Sequence, residues 1–239
     1  MIEALLKKLE LRDPLRPDER AALADSFSPP KSHAAREHMV EQGTRPKHST
    51  LLLNGLTARV TTLAEGSQQI TALHIPGDFV DLHSFLLPRM DHSVVAISDC
   101  VVTTVDHDRL REITSAFPHL TRLLWLNTLM DSAIHRQWLV TLGRMSASGR
   151  MAHLLCELYR RHAVVDGVRD DGFDLPMTQA QLADVLGLSA VHVNRTLQEL
   201  RAQGVVSWNG ARVKITNWED LARMGEFDPT YLQLERSPV

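Results

Sequence analysis

In the stretch PMTQAQLADVLGLSAVHVNRTLQELRAQ, residues 176–203, an amide and a guanidinium stand side by side at Asn194 and Arg195. A guanidinium fork pairs bidentately with guanine, and a carboxamide pairs in the same way with adenine. Ala190 and Val191, just upstream, are small apolar groups of the kind that meet thymine methyls. His192 is suited to a phosphate contact, or only to the serine that precedes its helix. The plain alternative for Arg195 is a solvated helix charge. From Pro176 to Lys214 the cations are Arg195, Arg201, Arg212 and Lys214, against Asp184 and Glu199. That surplus has the sign a phosphate-facing surface needs.

These groups read bases only if a helix presents them. Thr178 followed by Gln181 forms a capping box that opens one helix. Leu182, Ala183, Val185 and Leu186 supply its apolar face, and Gly187 permits a tight turn. Ser189 caps a second helix whose inner face is Val193, Leu197 and Leu200. Two helices joined by a short glycine-containing turn make a helix-turn-helix, and the second presents its N-terminal residues to the major groove. VVSWNGARVKIT follows, with two β-rich runs around Asn209-Gly210 that predict a hairpin, the wing. Arg212 and Lys214 alternate on one face of its second strand. They are either phosphate contacts or a charged edge that deters sheet pairing.

The rest of the chain of 239 residues divides in two. Up to about residue 115, short apolar runs alternate with Gly, Pro and Asn. HSTLLLNGLTARVTTL reads as a hairpin around Asn54-Gly55, QQITALHIPGDFV as a strand closed by Pro76-Gly77, and HSVVAIS and CVVTTVD as further strands. Two short helices are expected before them, around residues 2–9 and 18–26. A long helix then covers residues 118–142, with an apolar stripe (Leu120, Leu123, Leu124, Leu126, Leu129, Met130, Ala133, Ile134, Trp138, Leu139) too wide for one surface face. A second copy of the helix is one partner for the surplus, giving a two-fold dimer. A fully buried core helix is the other reading. After a break at GRMSASG, Ser146 caps the next helix, and DGVRDDGFD reads as a polar loop.

Composition removes several classes. Hydrophobic residues are 44% and charged residues 23%, as in an ordinary globular protein, and the formal charge of −3 gives no global nucleic-acid signature. No apolar run approaches the roughly 18 residues of a membrane helix, and the N-terminal MIEALLKKLELRD lacks the features of a secretion signal. A cytoplasmic protein without membrane contact is expected. Cys100 and Cys156 sit in apolar segments as small buried thiols, and two cysteines cannot build a four-thiolate metal site. There is no phosphate-binding glycine loop, no nucleophile motif and no HExxH, so neither an enzyme, a metal nor a cofactor is expected.

The turn IPGDFVD, the segment GRMSASGRMAHLLCEL and the run TQAQLADVLGLSAVHVNRTLQELRAQGVV together resemble the Crp–Fnr family of bacterial transcription regulators, over nearly the whole chain. The resemblance implies an α+β protein with three parts. Residues 1–117 would be an eight-stranded jelly-roll (double-stranded β-helix) sensor domain of the cyclic-nucleotide-binding type. Residues 118–143 would be a dimerisation helix, and residues 144–239 a winged helix-turn-helix. It implies a homodimer on a palindromic operator, with RNA polymerase as a further partner and a small-molecule effector for the sensor. Thr178, Ser189, Ala190, Val191, His192, Asn194, Arg195, Arg212 and Lys214 are then the DNA-facing set. Val191 stands where the best-known members carry a glutamate, so a different operator is expected.

The effector pocket would follow the turn at Gly77 and Asp78. Leu82 falls at the family's ribose-binding glutamate, His92 at its phosphate-binding arginine and Ser93 at the adjoining serine. Leu82 accepts no hydrogen bond and His92 lacks the guanidinium fork, so cyclic AMP is not the expected ligand. Arg89, three residues away, and Arg136 on the long helix are substitute cations, and His83 and His135 are further polar candidates. Two rival readings stay open: gating by a cyclic nucleotide after all, and a β-barrel protein whose C-terminal module binds protein and not DNA.

Overall fold

A computed structural model describes residues 1–237. The chain forms two units. The first takes Met1–Thr61, Ala72–Ser132 and the residues from Gln233 on, and the second takes Thr62–Thr71 and Ala133–Leu232. The last two residues of the expected 144–239 domain lie outside the described residues.

Helices α1 (Glu3–Arg12) and α2 (Pro17–Ala24) precede strands β1 (Lys31–His33), β2 (His38–Val40), β3 (His48–Asn54), β4 (Thr57–Thr62) and β5 (Gln68–His74), all in the first unit except Thr62 and the first four residues of β5. A 3-10 turn at Leu82–Phe85 leads to β6 (Ser93–Ala96), β7 (Cys100–Asp106), α3 (His107–Ala116) and α4 (Pro118–Arg144). The strands make two sheets, ordered β1–β7–β3 and β2–β6–β4–β5. β1 and β3 pair antiparallel with β7, and β2 and β4 with β6. Successive strand residues face opposite sides, so the neighbours Leu51 and Leu52 enter different cores. Leu52 joins Val40, Val80, Met90, Val94, Cys100 and Val102 inside the roll. Leu51 joins Leu5, Leu9, Leu23, Leu110, Ile113, Leu120 and Leu123, where the helices cover the sheet.

Two expectations for the roll need correction. Asn54-Gly55 does not turn a hairpin, because β3 and β4 belong to different sheets. It is a corner between them. Gly55 has φ +93°, and a Cβ there would come within 2.5 Å of the Asp99 carbonyl oxygen. The glycine therefore serves a close backbone approach, which looks like a hairpin signal in sequence. The roll also has seven strands and not eight among the described residues. Phe79 makes only an isolated bridge to Leu51, because the chain leaves the sheet for the turn at Leu82–Phe85.

The helices are tied down by charge as well as by leucines. The ring of His119, at the start of α4, bonds Glu19 Oε2 through Nδ1 (2.9 Å) and Asp13 Oδ2 through Nε2 (3.2 Å). Its hydrogen bond to Glu19 raises its pKa, burial opposes, and Asp13 adds to the rise. A pKa raised on folding gives stability that is complete below the unfolded value of about 6.5 and is lost as pH rises through the folded value. His119→Gln is therefore expected to be destabilising in urea melts at pH 6. The difference from wild type should shrink steadily above pH 7. A difference independent of pH would show that the imidazolium contributes nothing.

Along α4, Leu120, Leu123, Leu124 and Trp138 are buried, whereas Trp125 (65%), Leu129 (49%), Leu139 (73%) and Val140 (50%) are exposed. The exposed residues Trp125, Leu129 and Leu139 fall on a spacing of four and three residues completed by Ser132 and Arg136, the period of a coiled-coil seam.

The second unit continues with α5 (Ala147–Val164), β8 (Gly172–Asp174), α6 (Gln179–Leu186), α7 (Ala190–Ala202), β9 (Val206–Asn209), β10 (Arg212–Ile215) and α8 (Trp218–Met224). Ser146 caps α5 through its Oγ, which accepts from the Gly149 N–H at 3.1 Å. Glu157, fully buried on α5, accepts from Trp138 Nε1 (2.9 Å), Arg161 Nη1 (3.0 Å) and the Tyr231 hydroxyl (2.9 Å). These donors offset the cost of burying the carboxylate, and loss of one partner strands the rest. The expected polar loop DGVRDDGFD is corrected in part. Gly172–Asp174 is β8, the third strand of the wing sheet, paired antiparallel with β10 (Val213 opposite Phe173). Three residues with one apolar side chain carry no legible alternation.

Candidate nucleic-acid interface and sensor cluster

Local chemistry sets the frame of the helix-turn-helix. Thr178 Oγ1 accepts from the Gln181 N–H (3.2 Å), and Gln181 Oε1 accepts from the Thr178 N–H (2.8 Å). Gly187 closes α6 with φ +61° and ψ +43°, the left-handed conformation that lets the chain reverse at once. Ser189 Oγ accepts from the His192 N–H (3.2 Å) and starts α7. Val193, Thr196, Leu197 and Leu200 are buried, which fixes the rotation of α7 and leaves Ala190, Val191, His192 and Arg195 facing solvent. Arg195 is 78% exposed, with Nε 3.1 Å from Glu199 Oε1. Asn194 is half-buried and accepts from Gln198 Nε2 at 3.1 Å.

The wing turn is shifted by one residue from its expected centre. Asn209 pairs with Arg212, so Gly210 and Ala211 are the central residues. Of these only Gly210 has positive φ, as in a type II′ turn. The cations of the segment divide by role. Arg201 donates to the Trp208 carbonyl and joins α7 to the wing. Arg212 donates to Asp174 Oδ1 (3.2 Å) and to the Arg169 carbonyl, so it braces the wing sheet. Lys214 is exposed. A residue outside the motif also matters: Arg150 on α5 donates to the Leu186 carbonyl (2.9 Å) and holds the C-terminal end of α6. Its spacing from the motif gave no sign of this.

In the first unit, the expected pocket residues separate. Gly77 donates its N–H to the Leu52 carbonyl (2.8 Å), and Asp78 pairs with Lys8 Nζ (2.6 Å), so both fasten the turn after β5. Leu82 belongs to the helix-covered core. Arg89 is exposed and directed to the Gly43 carbonyl. Ser93 Oγ accepts from the Gln42 N–H (3.1 Å). His135, half-buried, and Arg136, exposed, lie on the part of α4 that belongs to the second unit.

His83 and His92 do come together, with ring centroids 5.1 Å apart, and Asp91 Oδ1 lies 2.7 Å from His92 Nδ1. Burial, reinforced by the Arg59 charge, pushes His92 down to about 4, against the pull of Asp91. The sequence reading missed Arg59, Asp81 and Asp131. Arg59, buried on β4, donates to Asp131 Oδ2 (3.1 Å) and the Val80 carbonyl (3.4 Å). Burial pushes Asp81 up to about 7, although it accepts from the Thr50 N–H and faces Arg59. A lone arginine inside a β-run was the available signal. Both cysteines are buried and free, and burial raises Cys100 to about 11 and Cys156 to about 12, so neither is a reactive thiolate near neutral pH.

Comparison with known proteins matches both units. The profile of a Crp-like helix-turn-helix domain covers residues 149–224, and that of a cyclic nucleotide-binding domain covers residues 30–117. The transcriptional activator protein FnrL of Cereibacter sphaeroides is 28% identical over 211 residues, spanning 87% of this chain and 84% of the relative. The chain carries the two domains of the Crp–Fnr family of regulators. It is thus a DNA-binding transcription regulator with a sensor domain, and members of this family are not enzymes. A probable transcriptional activator of Rhizobium leguminosarum is 29% identical over 187 residues, 78% of the regulator and 77% of the relative. Among solved structures, FixK2 from Bradyrhizobium japonicum superposes with a TM-score of 0.75 at 25% identity, covering 82% of the regulator and 96% of that chain. These matches support the expected α+β architecture with N-terminal sheets and a C-terminal helix-turn-helix. Among the described residues, no helix of the regulator is long and apolar enough to cross a membrane.

Proposed function

We propose that the regulator acts in the cytoplasm as a homodimer that reads a palindromic operator, with residues 1–117 as sensor, 118–143 as dimerisation helix and 144–239 as the DNA-binding part. The observation that carries this reading is the first turns of α7. They are solvent-facing and offer Val191, His192 and Arg195 on a helix whose opposite face is locked in the core. Thr178, Ser189 and Ala190 support the approach to the backbone, and Asn194 reaches bases by giving up its bond to Gln198. Lys214 is the phosphate contact of the wing, with Arg212 holding the strand that carries it. An effector of the sensor and RNA polymerase are the further partners.

Cyclic AMP is not the effector we favour. Leu82 is committed to the core, Arg89 faces away to Gly43, and Arg59 is already paired with Asp131. A buried cyclic phosphate would need a cation that these contacts leave to no one.

Selection from a random DNA pool tests the function. The expected product is a palindrome whose half-sites lie about one helical turn, roughly 34 Å, apart, and affinity for it should fall steeply with salt. Recovery of no enriched sequence, together with salt-independent binding, would defeat the reading.

A further inference from the structure

Three side chains that the DNA-binding role does not use meet between the turn at Leu82–Phe85 and β6. One ligand atom from each of His83, Asp91 and His92 can be chosen so that all three lie within 4.8 Å of one another. His92 is 95% buried, being 5% exposed, and among the described residues its buried Nε2 has no hydrogen-bond partner. Leaving a buried imidazole nitrogen unsatisfied is costly, and such groups are rare unless they have a further role. Its other nitrogen, Nδ1, lies 2.7 Å from Asp91 Oδ1, which brings the carboxylate beside the ring. The ring of His83 stands 5.1 Å away at a 50° tilt, so the two imidazoles converge without stacking flat.

We propose that His83, Asp91 and His92 form a binding site for a divalent transition-metal ion in the sensor domain. Two imidazoles and one carboxylate suit zinc, iron(II), cobalt or nickel, and do not suit the all-oxygen preference of magnesium or calcium. Ligands about 2.1 Å from a metal stand about 3–4 Å apart, so closing the site requires a movement in which Asp91 exchanges its bond to His92 Nδ1 for the ion. Asp91 is 77% exposed and can supply it, and its exposure also gives the ion a way in. Arg59, whose charge is felt at His92, is paired with Asp131 at 3.1 Å, which reduces but does not remove its repulsion of an incoming ion. Three protein ligands leave coordination positions open to water or a further small molecule.

The sequence hid this site because no HxH or HExxH spacing is present. The two histidines are nine residues apart and are brought together by the chain reversal between the 3-10 turn and β6. The site is separate from the operator reading and stands or falls on metal binding alone.

The test is titration of untagged, chelator-treated full-length protein with cobalt(II), followed by visible ligand-field absorption and by competition with zinc. One equivalent per chain is expected, with no comparable binding of magnesium. His83→Ala, His92→Ala and Asp91→Asn should each weaken binding by at least the roughly 10–100-fold that loss of even a ligand's supporting partner costs. His33→Ala, on the His33–Glu37 pair, should leave it unchanged. Circular-dichroism melts report folding. If His92→Ala does not fold, the exposed Asp91 and half-buried His83 variants decide the matter. Absence of equimolar binding, or affinity equal to wild type in those variants, overturns the proposal.

Discussion

An Arg195→Ala chain is expected to lose specific operator binding while folding as the wild type does. The side chain is 78% exposed and, among the described residues, is paired with Glu199 of its own helix, a contact worth about 0.3–0.5 kcal/mol. Its removal therefore costs the fold almost nothing. On DNA, a bidentate contact to guanine contributes about 1–3 kcal/mol of discrimination per half-site. Two half-sites bring the expected loss to at least roughly 30-fold. Residual sequence-independent binding should persist, because the phosphate contacts remain. The measurement is fluorescence anisotropy with the selected operator and with a scrambled duplex, beside a thermal melt. Equal affinity of mutant and wild type for the selected operator would remove α7 from the role of recognition helix.

The second large effect concerns assembly. With Leu129→Asp and Leu139→Asp together, the protein is expected to sediment as a monomer at micromolar concentration, where a dimer is expected of the wild type. Both residues are exposed and lie in the stripe of Trp125, Ser132 and Arg136. Fully burying a leucine side chain contributes about 1.5–3 kcal/mol, and a two-fold seam counts each position twice. Placing a carboxylate at each position removes that term and sets like charges against each other. Operator affinity should fall with the dimer, since each monomer then holds one half-site without the gain of linkage. The folded chain should persist, because the buried residues of α4, such as Leu120, Leu123 and Trp138, are untouched. A double mutant that remains a dimer would place the interface elsewhere.

The DNA-binding end was readable because its determinants are local. Capping serine and threonine, a glycine at a helix end and apolar residues at helical spacing act within a few residues of one another. Thr178, Gly187 and Ser189 occupy the positions that their chemistry requires. Where local chemistry serves two geometries, the sequence was misleading. Asn54-Gly55 suits a hairpin and a sheet-to-sheet corner equally, and only the pairing of β3 with β7 and of β4 with β6 decides between them. The wing turn moved by one residue for a related reason, since the register of β9 on β10 is set by burial of Trp208, Val213 and Ile215 and not by the turn pair itself.

The sensor end divides in the same way. Alternating apolar runs determined that a sheet domain precedes a long helix, and the buried thiols followed from their apolar flanks. What surrounds the expected effector region depends on contacts between residues far apart in the chain. Arg59 meets Asp131 across 72 positions, and Asp81 meets Thr50 across 31. No spacing rule reaches such distances, because packing of strands and helices creates the neighbourhood. Local sequence settled most of the helices with their caps and the face of α7 that looks outward, but not β8 or the corner at Asn54-Gly55. Only the tertiary structure decided which cations remain available for contact and which, like Arg59, Arg201 and Arg212, are consumed by carbonyls and carboxylates of the fold. A charge's partner is set by folded proximity, and proximity at long range is not written in local sequence.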